Sequence, residues 1–369
     1  MKPIRILQVL ASLDIGGAEM MIMNIYRNID KSKIQFDFVV NDQIQQYAFE
    51  SEIESMGGRI YRIPRYKITN YLAYKKVWED LLLEHPEWQV IHGHHTSPAF
   101  IYLPIAKRLK RNTIAHSHTA GSGESFKSKL KILTRYPIRH MADYLFSCSA
   151  LAGEWMFGKK KKIYVLNNAI DTNKFLFSTS SREEKRLELQ LENKFVIGHV
   201  GRMYPEKNHF FLIDIFDSIY KQNNNTVLLL IGDGKLRSQL EKKVMELNLS
   251  ENVIFTGIRN DIPELMQAMD LFLFPSLYEG LPVTLIEAQA SGLPCVVSNT
   301  VTEETKITNH VDFLSLDSSP SFWAKHSLKY VKNFKRENKY KEICNANYDV
   351  KENIKWLENF YMKNFNPLL

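Results

Sequence analysis

The feature that most constrains this chain is a repeated alternation of short apolar runs with longer helical stretches. In the first half the runs are IRILQVL (4–10), FDFVV (36–40), QVIHGHH (89–95), NTIAHS (112–117), YLFSCS (144–149) and KIYVLNN (162–168). Most segments between them are long enough for helices. A polar stretch, SREEKRLELQLENK (181–194), follows and opens with five charged residues in six. The alternation then restarts with FVIGHVG (195–201), TVLLLIGDG (226–234), NVIFTG (252–257), DLFLFPS (270–276) and PCVVSN (294–299). Near-continuous apolar strands joined by helical crossovers indicate parallel sheets covered on both faces.

The reading is therefore an α/β chain of two Rossmann-like domains. A length of 369 residues fits two cores better than one. The expected boundaries are 1–172 and 173–351, with a solvated connector around 172–194. The last segment carries Ile354, Leu357 and Tyr361 at helical spacing, with Trp356 and Phe360 widening the stripe. It is expected as an amphipathic helix, with residues from about 352 to 369 crossing back to the first domain. Ligands of such sheets bind beyond the carboxyl ends of the strands.

Composition narrows the class. Hydrophobic residues at 44% exclude a disordered chain. Cys148, Cys295 and Cys344 are scattered, which builds neither a disulfide framework nor a zinc motif and fits a reducing cytoplasm. The apolar run at the amino terminus is short and leads into Asp14, two glycines and Glu19, so it reads as a strand and loop. No apolar stretch approaches the roughly 20 residues of a membrane span. The +7 charge is clustered: Lys107, Arg108, Lys110 and Arg111; Lys127, Lys129, Lys131, Arg135 and Arg139; and Lys159 to Lys162. Such clusters attract anions, whereas each alone is also an ordinary solvated face. The second is partly amphipathic and would suit an anionic membrane.

The most specific element is SLYEGLPVTLIEAQASGLP (276–294). Glu279 lies in a loop after an apolar strand, and Pro282 suits the first turn of the next helix. Glu287 then lies about 8 Å along that helix at about 1.5 Å per residue. Gly280 lets backbone amides approach a ligand, and the helix start favours a phosphate. Two carboxylates flanking an anion site accept hydroxyl hydrogen bonds on either side of a diphosphate. An acidic helix start with only a capping role is the plainer reading, but the Gly-Leu-Pro context and the second carboxylate weigh against it.

Here the chain resembles retaining glycosyltransferase family 4, of GT-B fold and of the exopolysaccharide and capsule type. EGLPVTLIE resembles its Glu-x7-Glu element, and GRMYPEKN (201–208) its Gly-Arg…Lys element. IGDGKLRSQL (231–240) and VIFTGIRNDI (253–262) resemble strand–turn elements around the nucleotide base, and IGGAE (15–19) the glycine loop of the first domain. The resemblance spans nearly the whole chain. It departs at Asn208, where glycine is frequent, and at Asn168-Ala169, where Asn-Gly is usual.

The resemblance implies transfer of a hexosyl or N-acetylhexosaminyl group from a nucleotide sugar, with UDP as the usual carrier, to a glycan or lipid-linked acceptor with retained configuration. It implies that Arg202 and Lys207 stabilise the departing diphosphate. Glu287 would hold the ribose. Glu279, with Gly280, Leu281, Pro282 and Thr284, would hold the donor sugar, and Gly16 and Gly17 would face donor phosphate or acceptor. His118 in IAHSHTAG matches the family's strand-end histidine near the transferred sugar, which leaves His116 in the strand. The expected chemistry has same-face attack and no covalent nucleophile. No Asp-x-Asp occurs, in keeping with no cofactor and no metal. His92, His94 and His95 are read as core or cleft residues rather than ligands, with acceptor contact a role for His94 or His95. The implied location is cytoplasmic, at the inner face of the membrane, with no nucleic-acid partner. The competing readings are a nucleotide-sugar epimerase, a glycogen-type synthase or phosphorylase, and a non-catalytic sugar-nucleotide-binding subunit.

Overall fold

A computed structural model describes residues 3–14, 16–42, 46–94, 97–118, 137–331 and 334–365. The chain divides into unit 1, residues 1–169 and 350–369, and unit 2, residues 170–349.

Unit 1 is a seven-stranded parallel sheet. Its strands are β1 Ile4–Val9, β2 Ile34–Asn41, β3 Ile60–Ile63, β4 Trp88–Gly93, β5 Asn112–Ser117, β6 Tyr144–Ser147 and β7 Tyr164–Val165. Their order is β3-β2-β1-β4-β5-β6-β7. Alternate side chains feed two cores, as the period of two requires. Ile6, Phe36, Phe38, Val90, Ile114 and Phe146 point into one, and Leu7, Val9, Val39, Ile91, Ala115 and Leu145 into the other. Asp37 lies within fully buried β2. It survives there because Arg5 pairs with it and Trp88 Nε1 and the Arg59 amide donate at 2.7 and 3.0 Å.

Unit 2 has six parallel strands: β8 Phe195–Val200, β9 Thr226–Ile231, β10 Val253–Gly257, β11 Leu271–Phe274, β12 Cys295–Ser298 and β13 Val311–Leu314. Their order is β10-β9-β8-β11-β12-β13. Val227, Leu229 and Ile231 enter one core, and Leu228 and Leu230 the other. β3 and β13 are absent from the runs picked out in the sequence. Both are edge strands, and their half-exposed IYRI and VDFL carry a charge in mid-run.

The polar stretch read as a solvated connector lies in unit 2, within the expected second domain of 173–351, and none of the residues of its helix is buried. Thr179–Glu188 is a helix, and its arginines turn inward. Arg182 donates to the carbonyls of Gln267 and Met269 at 2.9 and 2.7 Å, and Arg186 to that of Ala268 at 2.9 Å. Both also pair with Asp270. Arg336 reaches the same helix end through the Gln267 carbonyl at 2.8 Å. These cations satisfy the unpaired carbonyls at the end of helix Ile262–Ala268, so the charge run has a structural task.

The final helix, Val350–Phe365, packs on unit 1 with Val350, Ile354, Leu357, Tyr361 and Phe365 buried. Glu358 Oε1 accepts from the Asp30 amide at 2.7 Å, and Asn353 donates to the Asn167 carbonyl at 3.0 Å. Leu357 is 1% exposed, so Leu357→Ala is expected to destabilise unit 1 by about 2–5 kcal/mol through the cavity it leaves. Denaturant unfolding followed by circular dichroism checks this.

Candidate active site

In a parallel sheet all strands end on one edge, and a crevice opens where neighbouring crossovers run in opposite directions. In unit 2 that place is between β8 and β11. The loop after β8 carries Arg202 and Lys207, and the loop after β11 carries Glu279.

The β8 loop is held by the glycine turn after β9. The Gly201 amide donates to the Ile231 carbonyl at 3.0 Å, and the Met203 amide to that of Asp233 at 2.9 Å. Gly232 has φ +130°, and a Cβ there would lie 2.2 Å from the Gly201 carbonyl oxygen. A Cβ on Gly234 would lie 2.6 Å from the Met203 carbonyl oxygen. Side chains at either position would displace the loop that presents Arg202. The loop closes through Asn208 at φ 56°, a left-handed conformation that asparagine tolerates. Asn208 Nδ2 donates to the Pro275 carbonyl at 3.1 Å, tying this loop to the end of β11. The frequent glycine of the resemblance is thus replaced by a residue able to adopt its conformation.

Lys207 and Glu279 meet at 2.5 Å, with side chains only 17% and 12% exposed. Lys207 also lies over Phe274, 5.1 Å from the ring centroid. The Leu277 amide donates to the Glu206 carbonyl at 2.8 Å, so the two loops are joined by backbone as well. The ammonium has three donors and can hold Glu279 and an anion together. Arg202 is exposed, its guanidinium 5.3 Å from the Tyr204 ring centroid, and Lys235 lies over the same ring at 6.0 Å. Tyr204 and Lys235 escaped the sequence reading, although Lys235 directly follows the glycine turn.

The helix after Glu279 spans Val283–Ala290, so Pro282 is its cap and lies just outside the first turn in which the sequence reading put it. No side chain caps this end. Thr284 sits in the first turn, Leu281 packs on the core, and Gly280 has open space where a Cβ would stand. Glu287 lies one turn along, and burial of its carboxyl pushes its pKa up to about 7. His199, also missed in the sequence, lies buried beneath the β8 loop, its Nδ1 donating to the Leu273 carbonyl at 2.9 Å.

In unit 1 the order of strands reverses between β1 and β4. Gly16 caps helix Gly17–Asn28 after β1, and Gly17 begins it. Ile15 and His95 lie outside the described residues, as do residues 119–136 with most of the second basic cluster. His118 directly follows β5 and is joined to His94 at 2.8 Å. The histidines form a group that the sequence did not reveal. His92, His94 and His116 bring one ring nitrogen each within 4.8 Å of the others. The rings are stacked, however: His92 on His94 at 4.4 Å and 25°, and His116 on His118 at 4.2 Å and 23°. His92 Nε2 and His116 Nδ1 face each other at 3.1 Å, and His94 Nε2 faces Gln8 Oε1 at 2.8 Å, so a metal shared by the three rings would have to displace these hydrogen bonds.

Two parallel α/β units with a charged, glycine-supported loop at the strand-order reversal define a nucleotide-binding class of architecture. Residues 15–174 match the model of Glycosyltransferase Family 4, and residues 181–346 that of Glycosyl transferases group 1. The chain is 34% identical over 372 residues to EpsF of Bacillus subtilis (strain 168), a protein named as a glycosyltransferase, covering 97% of this chain and 96% of that one. It is 29% identical over 260 residues to the UDP-Gal:alpha-D-GlcNAc-diphosphoundecaprenol alpha-1,3-galactosyltransferase of Escherichia coli, covering 65% and 66%. The structure of Anabaena HepE in complex with UDP superposes with a TM-score of 0.75 at 20% identity, covering 98% of this chain and 95% of that one. The chain therefore belongs to glycosyltransferase family 4, and its fold is GT-B.

The Glu287 pKa gives a stability prediction. The folded value, about 7, lies above the ordinary carboxyl value of 4.5. Between these values the folded state binds the proton more tightly, so stability falls as pH rises and the penalty is complete above pH 7. Glu287→Gln is expected to raise the melting temperature at pH 8 and to leave it unchanged at pH 4.5. Calorimetry at the two pH values checks this.

Proposed function

We propose that this glycosyltransferase moves a hexosyl or N-acetylhexosaminyl group from a UDP-sugar to a hydroxyl of a lipid-linked glycan, with retention and without a metal ion. The observation that carries the donor half is the Lys207–Glu279 pair at the β8/β11 reversal, with Arg202 beside it and an uncapped helix end behind it. Two cations and free amides suit a diphosphate and take the place that a divalent ion fills elsewhere. In this reading Arg202 and Lys207 stabilise the departing diphosphate. Glu279 and the backbone of Gly280 and Leu281 hold the sugar, Glu287 holds the ribose, and His118 faces the sugar. The diphosphate takes up the acceptor proton on the face it leaves. The UDP bound to HepE supports the carrier, and the diphosphoundecaprenol in the name of the E. coli relative supports a lipid-linked acceptor in polysaccharide synthesis.

Lys207→Ala and Glu279→Ala are each expected to lower kcat/KM by about 100-fold or more, the usual loss of a charge contact to a leaving group. UDP is expected to raise the melting temperature of the wild type in the presence of chelator. Full activity in either variant overturns the site assignment. No stabilisation by any nucleotide would turn attention to a non-catalytic subunit.

No helix among the described residues is long and apolar enough to cross a membrane. An acceptor on a lipid carrier then needs a docking surface. The segment after edge strand β3 offers one. Ile68 and Leu72 are 87% and 77% exposed, and Tyr71 is exposed beside them. Arg65, Lys67, Lys75 and Lys76 surround them, with no acid from Arg65 to Trp78. Apolar tips among cations fit an anionic lipid interface. Because β3 is parallel to β1 and β4, this segment emerges on the sheet edge where Gly16, His94 and His118 lie. Ile68→Ser/Leu72→Ser is expected to reduce sedimentation with vesicles containing phosphatidylglycerol. Sedimentation equal to the wild type overturns this surface.

A further inference from the structure

Gln8, on β1, is fully buried, and its amide stands between two rows of hydrogen-bonded side chains. In the first row Gln8 Oε1 is 2.8 Å from His94 Nε2, and His94 Nδ1 is 2.8 Å from His118 Nε2. In the second row the Tyr361 hydroxyl is 2.7 Å from His92 Nδ1, and His92 Nε2 is 3.1 Å from His116 Nδ1. Tyr361 comes from the final helix, so this helix supplies part of the network.

All four imidazoles are neutral near pH 7. Burial pushes His92 down to about 3 and His118 down to about 4, and holds His94 and His116 well below the ordinary value. A neutral imidazole has one N–H and one lone pair, so fixing one nitrogen fixes the other.

A carbonyl oxygen only accepts, so His94 carries its proton on Nε2. His94 Nδ1 is then a lone pair, and His118 Nε2 must donate to it. That leaves His118 Nδ1 as a bare lone pair. This atom is buried and has no hydrogen-bond partner among the described residues. The second row runs in the opposite sense. Gln8 Nε2 makes no hydrogen bond of good geometry. His92 Nδ1 is the one acceptor within hydrogen-bond reach of the Tyr361 hydroxyl hydrogen among the described residues. Tyr361 therefore donates to His92, and His92 donates to His116. If the Gln8 amide were turned over, its N–H would face His94, the first row would reverse, and His118 would present an N–H at Nδ1 instead.

We propose that Gln8 and His94 are positioning residues that hold His118 in its Nε2-protonated tautomer, so that His118 Nδ1 accepts a hydrogen bond from a hydroxyl of the transferred sugar. This rests on the reading of His118 as sugar-facing. The ligand class is a sugar carrying a free hydroxyl at that position. A donor with that hydroxyl removed or methylated loses the contact.

The test is the tautomer itself, read from two- and three-bond proton–nitrogen correlations of the full chain labelled with 15N-histidine. Loss of the corresponding signal in His118→Gln assigns the residue. The wild type is expected to show His118 protonated on Nε2 at pH 7. Gln8→Met removes the acceptor and is expected to give a tautomer mixture and a fall of about tenfold in kcat/KM. Gln8→Glu keeps an oxygen acceptor against His94 and is expected to retain the wild-type tautomer and most of the rate. Protonation on Nδ1 in the wild type overturns the proposal, and this holds even if no Gln8 variant folds. So does an unchanged tautomer in a folded Gln8→Met protein. Full activity in His118→Ala would remove the sugar-facing role alone, because the tautomer measurement decides the positioning without reference to turnover.

Discussion

Parallel strand pairing is the constraint on which the rest depends. Each strand must return to the same edge before the next can pair, so every carboxyl end, with the loop that follows it, lies on one side of the sheet. In unit 2 this brings the loops after β8 and β11 together, although Lys207 and Glu279 are 72 residues apart. In unit 1 it places Gln8 on β1 beside His92 on β4, in register. The candidate site residues gather at these two reversals, where neighbouring strands leave the edge with their crossovers diverging.

The polar groups at these edges are costly, and the fold offsets the cost locally. Lys207 and Glu279 neutralise each other in a site that excludes most water, so neither charge is left unpaired. Glu287 has no such partner among the described residues, and its raised proton affinity follows from burial. A carboxyl buried without a partner lowers stability whenever it is charged.

The histidine rows extend the same logic into unit 1. Burial keeps the four rings neutral, and neutrality makes their protons directional. The final helix contributes to this order through Tyr361, which fills the core with its ring and holds His92 with its hydroxyl. Removal of that helix would therefore disturb both packing and proton placement, a coupling that follows from one aromatic residue having an apolar body and a polar tip.

Much was legible in the sequence because it is local. Continuous apolar runs such as TVLLLI mark strands buried on both faces, and the helical spacing of Ile354, Leu357 and Tyr361 marks the final helix. Glu279, Glu287, Arg202 and Lys207 stood out because a turn glycine, a proline and a charge at fixed offsets are a short-range pattern. Edge strands β3 and β13 escaped because one face meets water and tolerates Arg62 or Asp312. The polar run 181–194 is solvated as its composition suggests, but composition does not say what a charged side chain touches; Arg182 and Arg186 turn to carbonyls more than 80 residues away. Local pattern was enough for two parallel α/β units and for singling out Arg202, Lys207, Glu279 and Glu287 as candidate site residues. That Lys207 meets Glu279, and that Gln8, His94 and His118 form one row, emerges only from the folded chain. Those contacts depend on strand order and register, which local periodicity does not encode.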